Sequence, residues 1–360
     1  MVVTAGMVAV VAVVASVDMV GTAGTDGPWK MVQNLTIPRA GPFSGDASVA
    51  GRALPWAPDH LRHATGATQA KGDRSRMSLM QNAHAINADL HCHSTVSDGT
   101  LSPRAVAELA RDAGVAYWAL TDHDEVGGQA AARAAAEEFG MRYVPGVEIS
   151  VTWAGQTVHI VGLQIDPFCP DLIDGLTNTR TGRARRARDI GEALAKVGIE
   201  GAYAGALKYV GNPDLISRTH FARWLVDQGH CATIGDVFSE YLSEGRPGFV
   251  GHRWASLAEA VGWIRTASGI AVMAHPGRYH YTDTQHDALF DEFKSLGGGA
   301  VEVVTGSHTP DQYRRYAEVA RHYGLLASRG SDFHGPGEGR VELGTLPPLP
   351  STVTPVWHDW

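Results

Sequence analysis

Cysteine is scarce in this 360-residue chain: there are three, Cys92, Cys169 and Cys231, and no two stand in a Cys-x-x-Cys pair. That excludes a disulfide framework and a thiolate metal cage, and makes a reduced cytosol the simplest compartment, so a cytoplasmic protein is expected. Positive charge is in deficit too. Lys and Arg number 30 against 38 Asp and Glu, a formal net charge of −8, which argues against a broad surface for duplex DNA. A small anionic substrate met by a few local arginines remains open. No Gly-x-Ser-x-Gly elbow and no P-loop pattern occurs. Gly297-Gly298-Gly299 reads as a flexible turn, because no helix opens directly after it. The apolar run Met1–Val20 lacks a basic flank and is slightly short for a spanning helix, so no membrane association is expected.

Histidine and carboxylate, by contrast, recur in a pattern. Ala88-Asp89-Leu90-His91-Cys92-His93 reads as a short strand ending in two histidines, with Ser97-Asp98-Gly99 just beyond. Residues two apart on a strand share a face, so both imidazoles can hold one ion, while Cys92 points the other way and packs. Asp98 lies on the following loop. The next block runs from Val115 to Leu120 into Thr121-Asp122-His123-Asp124. Then come Tyr143 to Ile149, with Glu148 near its end, and Val158 to Gly162, with His159 inside. Gly269 to Ala274 leads to His275-Pro276-Gly277, and Leu325 to Gly330 leads to Ser331-Asp332-Phe333-His334. A lone strand histidine such as His159 is ordinarily a hydrogen-bonded core residue. The repetition of strand and then ligand is what points to a metal centre. In parallel α/β architectures the carboxyl ends of strands gather on one face, so ligands far apart in sequence converge. Nitrogen and carboxylate donors without thiolate suit manganese, iron or zinc.

The chain divides by composition. Residues 1–82, rich in Gly, Ala, Pro, Asp and Ser without periodicity, read as a disordered extension. We favour an over-extended gene start, with the true one at Met77 or Met80. Residues 83–166 alternate strand and helix, with a helix from Pro103 to Gly114 capped by Ser102 and an Ala-rich one from Gly128 to Phe139. Residues 167–254 are mostly helical, including Thr181–Val197, Arg218–Gln228 and Ile234–Leu242, and read as an inserted cap. Alternation resumes over 255–350, and 351–360 form a C-terminal tail. The pattern predicts an α/β fold built on a barrel-like parallel sheet.

The order His-x-His, Ser-Asp-Gly, Thr-Asp-His, Gly-Val-Glu, strand His, Ala-His-Pro and Ser-Asp-x-His resembles the PHP (polymerase and histidinol phosphatase) superfamily from about Ala88 to Leu349. Ile149 to Gly162, Ser217-Arg218-Thr219-His220 and His275-Pro276-Gly277-Arg278-Tyr279 are similar to its bacterial 3′,5′-nucleotide bisphosphate phosphatase branch, which includes 5′-end-directed RNA exonucleases. The resemblance implies a distorted (β/α)7 barrel with a helical cap, and three divalent ions, manganese being the favoured one and iron or zinc acceptable. His91, His93, Glu148 and Asp332 would hold the first ion. Glu148, His159 and His275 would hold the second, and Asp98, His123 and His334 the third. Asp122 and Asp124 are left to orient His123 or a neighbour.

The implied chemistry is hydrolysis of a phosphomonoester: the ions lower the pKa of the attacking water and neutralise phosphate charge, with Glu148, Asp332, His275 and Arg278 at the reacting centre. Arginine suits phosphate anchoring because its planar fork matches the oxygens. Arg278 is the first candidate, then Arg218 and His220, then Arg183 and Arg186 within a basic helix, and Arg246. His220 and His252 are candidates for the leaving-group acid. The expected substrate is a nucleoside 3′,5′-bisphosphate, losing its 3′-phosphate, or the 5′ end of a short RNA. Histidinol-phosphatase-like action on small phosphate esters, C–N bond hydrolysis as in amidohydrolases, and a non-catalytic metal-dependent module are the competing readings.

Overall fold

The computed structural model describes residues 83–360, and the readings made for residues 1–82 lie outside them. The strands are β1 (Ala88–Asp89), β2 (Tyr117–Trp118), β3 (Arg142–Tyr143), β4 (Gly146–Trp153), β5 (Gln156–Leu163), β6 (Ile270–Met273), β7 (Ala300–Thr305) and β8 (Leu326–Gly330). The first three form a parallel sheet in chain order, and the other five form a second sheet in the order β4-β5-β6-β7-β8. Both sheets are open. The expected (β/α)7 barrel is thereby corrected to an α/β fold with two unclosed sheets.

Two physical causes explain the correction. Ala154 and Gly155 both take positive φ, 47° and 81°, the signature of a two-residue hairpin turn, so β4 and β5 pair antiparallel with Trp153 opposite Gln156. A parallel pair needs a crossover of a dozen or more residues, which this junction lacks. β5 also runs antiparallel to β6. Second, the strands of the first sheet stop after two residues, because polar side chains take over the backbone bonds. The Cys92 amide donates to Thr121 Oγ1 at 3.1 Å rather than to a ladder carbonyl. Isolated bridges, Cys92 to Phe333 and His123 to Glu148, and a backbone bond from Leu90 to the Arg329 carbonyl link the two sheets there.

The helices follow their local signals. Pro103–Asp112 starts with Ser102 accepting from the Ala105 amide, and Gln129–Glu138 covers the same sheet. Asp283–Ser295 opens on a capping box formed by Thr282 and Gln285, and Pro310–His322 on one formed by Thr309 and Gln312. Between β5 and β6 lie helices Pro170–Arg180, Arg183–Ala195, Arg218–Asp227 and Leu257–Thr266, with shorter helical turns.

Three apolar clusters hold these layers. The largest packs β4–β8 against helices Leu257–Thr266 and Asp283–Ser295 through Ile160, Val272, Val301, Ile264, Phe290 and Phe293. Leu172 and Leu176 of Pro170–Arg180 join it, and Gly175 lies so close to Trp263 that an added Cβ would meet the indole at 2.4 Å. A second cluster lies under the three-stranded sheet, where Cys92 packs with Trp118 and Leu120. Helices Arg183–Ala195 and Arg218–Asp227 share a core of their own, with Ile190, Leu194, Phe221 and Leu225. The last residues are not loose: Val356 donates to the Ala327 carbonyl at 2.8 Å, and Trp357 is buried. Among the described residues no helix is long and apolar enough to cross a membrane.

Candidate metal centre

The ligand candidates sit where strands end and loops begin, and the loops are fixed to one another. The His93 amide donates to the Phe333 carbonyl at 2.8 Å, and the Asp332 amide to the His91 carbonyl at 2.8 Å. Gly330 lets these segments touch, since a Cβ there would lie 2.3 Å from the His91 Cβ. His275 and Asp332 take positive φ, 25° and 56°. Non-glycine residues in such conformations cost on the order of 1–3 kcal/mol each and persist where surroundings over-determine them.

Glu148, fully buried, is the hub. Its Oε2 lies 3.2 Å from His91 Nε2, 3.3 Å from His93 Nε2 and 3.0 Å from His123 Nδ1. Its Oε1 lies 3.0 Å from both His159 Nδ1 and His275 Nε2, which are 3.3 Å apart. Asp332 Oδ1 lies 3.5 Å from His91 Nε2 and 3.3 Å from His93 Nε2. His334 Nε2 lies 3.4 Å from Asp98 Oδ1. One ligand atom each from His91, His93, Glu148 and Asp332 falls within a mutual 4.8 Å, as does one each from His93, Asp98, His123 and His334, and one each from His123, Glu148 and His159. All nine ligand candidates thus converge.

The donor set fits divalent cations. Glu148 Oε2 and the Nδ1 atoms of His93, His123 and His275 are buried and make no hydrogen bond within the protein. Lone pairs packed this way are costly unless a cation or proton lies among them. Burial works to raise the Glu148 carboxyl, but His123, His91 and His159 outweigh it and hold the group well below its ordinary range. Burial, with Arg278 beside it, pushes His275 down to about 3. Burial also opposes the charged form of His123, yet Glu148 and Asp98 raise it to about 9, and Glu148 and Glu302 likewise raise His91.

A metal-free centre therefore carries protons on His123 and His91 at neutral pH, and ions must displace them. Binding of Mn²⁺ at pH 7 is expected to release protons, with release falling off as pH rises through about 9. Calorimetry in buffers of different ionisation enthalpy measures this, and zero release at pH 7 contradicts it. The sign for the metal-free fold is the same. The raised His123 contributes stability that is fully present below its ordinary 6.5 and lost as pH rises through about 9.

Other expected residues lie differently. Asp122 and Asp124 do not hydrogen-bond His123. Asp122 accepts from the Ser94 amide at 2.7 Å and from Ser94 Oγ and Ser97 Oγ at 2.8 and 2.6 Å, so it holds the loop that carries Asp98. Asp124 accepts from the Ser150 amide and hydroxyl at 2.7 and 2.9 Å and pairs with Arg183. Arg278, half exposed, pairs with Asp332 at 2.9 Å. Arg186 is buried with its Nε donating to the Val250 carbonyl at 2.9 Å, and Arg218 Nη1 donates to the Leu242 carbonyl at 3.2 Å. Arg246 is exposed. His220 accepts from the Ser217 amide on Nδ1 at 2.9 Å, and its Nε2 is buried without a partner.

Two residues that contact the centre receive no role from the sequence. Ser217 donates to Asp98 Oδ2 at 2.9 Å. Glu302, the one charged side chain in β7, accepts from His91 Nδ1 at 2.8 Å. Its signal was a lone carboxylate in Ala-Val-Glu-Val-Val-Thr, which has no adjacent ligand motif.

An open α/β core gathering imidazoles and carboxylates of several loops around one shared carboxylate is consistent with divalent-metal binding of the kind used in hydrolysis. A family model described as the PHP domain matches residues 89–242. The chain is 49% identical over 273 residues to a 3′,5′-nucleoside bisphosphate phosphatase of Chromobacterium violaceum, covering 76% of this chain and 96% of that one. It is 42% identical over 272 residues to a 5′-3′ exoribonuclease of Haemophilus influenzae, covering 76% and 98%. A solved structure of an amidohydrolase from Chromobacterium violaceum, with bound sulfate and no metal, superposes with a TM-score of 0.74 at 48% identity over 76% of this chain and 95% of that one. The chain belongs to the PHP family of metal-dependent phosphoesterases.

Proposed function

We propose that this protein removes the 3′-phosphate of nucleoside 3′,5′-bisphosphates and also acts on the 5′ ends of short RNA. It is a phosphoric ester hydrolase. The observation that carries the reading is the convergence of His91, His93, His123, His159 and His275 on the two oxygens of Glu148, in a chain related to such phosphatases and exoribonucleases. In this reading His91, His93, Glu148 and Asp332 would hold one ion, Glu148, His159 and His275 a second, and Asp98, His123 and His334 a third, with manganese favoured. When bound, divalent ions lower the pKa of an attacking water and neutralise phosphate charge.

The protein's own groups do the rest. Arg278 spends one nitrogen on Asp332 and offers the others to phosphate oxygens at the mouth of the site. Arg186 and Arg218 have no carboxylate partner among the described residues. Burial, with Arg218 and Arg183 near, lowers Arg186 to about 9, and burial, with Arg278 and Arg183 near, lowers Arg218 to about 10. Unpaired buried guanidinium is unfavourable, and a second phosphate supplies the missing anion. Burial lowers His220 to about 4, so it is neutral at pH 7 and serves as a hydrogen-bond donor through Nε2 rather than as the leaving-group acid. Arg183 is committed to Asp124. The helical segment 167–254 acts as a cap that selects substrate by size and charge. A cytoplasmic setting accords with three free thiols.

Adenosine 3′,5′-bisphosphate with Mn²⁺ tests the reading. Wild type is expected to release the 3′-phosphate, and His275→Ala to lose at least about 100-fold in kcat, the upper range for perturbing groups that only support metal ligands. No release by metal-loaded, folded protein overturns the bisphosphate substrate.

A further inference from the structure

Glu302 lies in the middle of β7, between Val301 and Val303, and is almost fully buried. A carboxylate in that setting is unfavourable unless both oxygens are used. Both are. Oε1 is 2.8 Å from His91 Nδ1, and Oε2 accepts from the His275 amide at 2.6 Å. The two partners belong to the two halves of the centre: His91 faces Glu148 Oε2 and Asp332, whereas His275 faces Glu148 Oε1 and His159. Each contact fixes something the centre needs. A carboxylate at Nδ1 makes that nitrogen the donor, so the lone pair of neutral His91 is on Nε2, the atom that faces Glu148. The amide at His275 belongs to a residue held at φ 25°, outside any ladder, where the 3₁₀ turn Pro276–Arg278 begins. Glu302 also sits where the pairing of β7 with β8 shifts register, which accommodates an inward-pointing side chain in an otherwise regular strand.

We infer that Glu302 is a positioning residue that couples the two halves of the metal centre: it sets the His91 tautomer and pins the strained His275 turn with a single carboxylate. The inference rests on the reading of the ligands as a metal centre, but not on any particular substrate. Glutamine is the discriminating replacement, because it keeps shape and volume. Its amide has one acceptor and one donor end. Facing two donors, it must either set NH₂ against the His275 N–H or donate to His91 Nδ1. The second choice moves the proton to Nε2 and blocks the ligand atom.

The experiment is Mn²⁺ binding by equilibrium dialysis on wild type and Glu302→Gln, with the melting temperature of each metal-free protein and kcat and KM measured beside it. Expected are a 10–100-fold loss of affinity for the tightest ion, a comparable loss in kcat, KM within about threefold, and a metal-free melting temperature within a few degrees of wild type. Unchanged metal affinity overturns the inference, whatever happens to the melting temperature. If Glu302→Gln does not fold, Glu302→Asp is read by the same criteria, since it keeps the charge but is a methylene too short to hold both partners. A wild type that binds Mn²⁺ and hydrolyses no phosphate ester, with affinity still lost in the variant, sinks the proposed function and leaves the role of Glu302 standing.

Discussion

Glu148→Gln is expected to lose at least about 100-fold in phosphate-ester turnover and to retain substoichiometric metal, while still folding. The floor comes from groups that merely support metal ligands, whose loss costs about 10–100-fold. Glu148 is placed to do more, since five histidines lie within 3.3 Å of its two oxygens. Replacing one oxygen by NH₂ sets a donor against imidazole lone pairs and removes the charge that offsets the cations. The protonation state follows. His91 and His123 are raised chiefly by Glu148, so its loss weakens their hold on protons. That does not restore binding, because the shared carboxylate is gone. Metal analysis of the dialysed protein, beside kcat at saturating Mn²⁺, checks the prediction. Wild-type turnover with full metal content in Glu148→Gln removes the carboxylate from the centre of the mechanism.

The centre was far more legible in the sequence than the sheet that carries it. His-x-His, Asp-Gly, Thr-Asp-His and Ser-Asp-x-His are compact motifs whose members sit next to strand ends, so naming the strands named the candidate ligands. Sheet closure has no such marker. It depended on Ala154-Gly155, which does not announce a hairpin as Asn-Gly would, and on strands truncated to two residues by side-chain bonds such as Cys92 to Thr121. Supporting groups were legible only in part. Asp122 and Asp124 stand beside His123, and adjacency suggested contact, yet both side chains are taken by partners elsewhere in the chain. Their partners, Ser94, Ser97, Ser150 and Arg183, are 25 to 59 residues away. Glu302 was invisible for the converse reason: its partners His91 and His275 lie 211 and 27 residues off, and a single Glu in a strand reads as an edge or surface residue.

Arg183→Met is expected to destabilise the protein by about 3–5 kcal/mol with little change in KM, because its guanidinium is a structural counter-charge and not a free phosphate anchor. The side chain is buried against Asp124, which is itself fully buried, and the ring of Trp254 lies 4.5 Å from the guanidinium carbon. Arg180 adds a bond to the Asp124 carbonyl at 2.5 Å, so the helical segment grips the loop that presents His123 from two directions. Removing one member of such a pair leaves a charge without compensation in a medium that solvates it poorly. At the size of this chain the loss corresponds to a fall in melting temperature on the order of 10 °C. Asp124→Asn alone is expected to cost a similar amount, and Arg183→Met/Asp124→Asn less than the sum, since the double variant strands neither charge. The alternative makes the opposite forecast. If Arg183 grips a phosphate, its loss raises KM by 10-fold or more at nearly unchanged melting temperature, and the double variant shows no coupling. Thermal unfolding of the four proteins without metal, with KM for adenosine 3′,5′-bisphosphate alongside, separates the two, and the buried pair requires that stability move and KM stay.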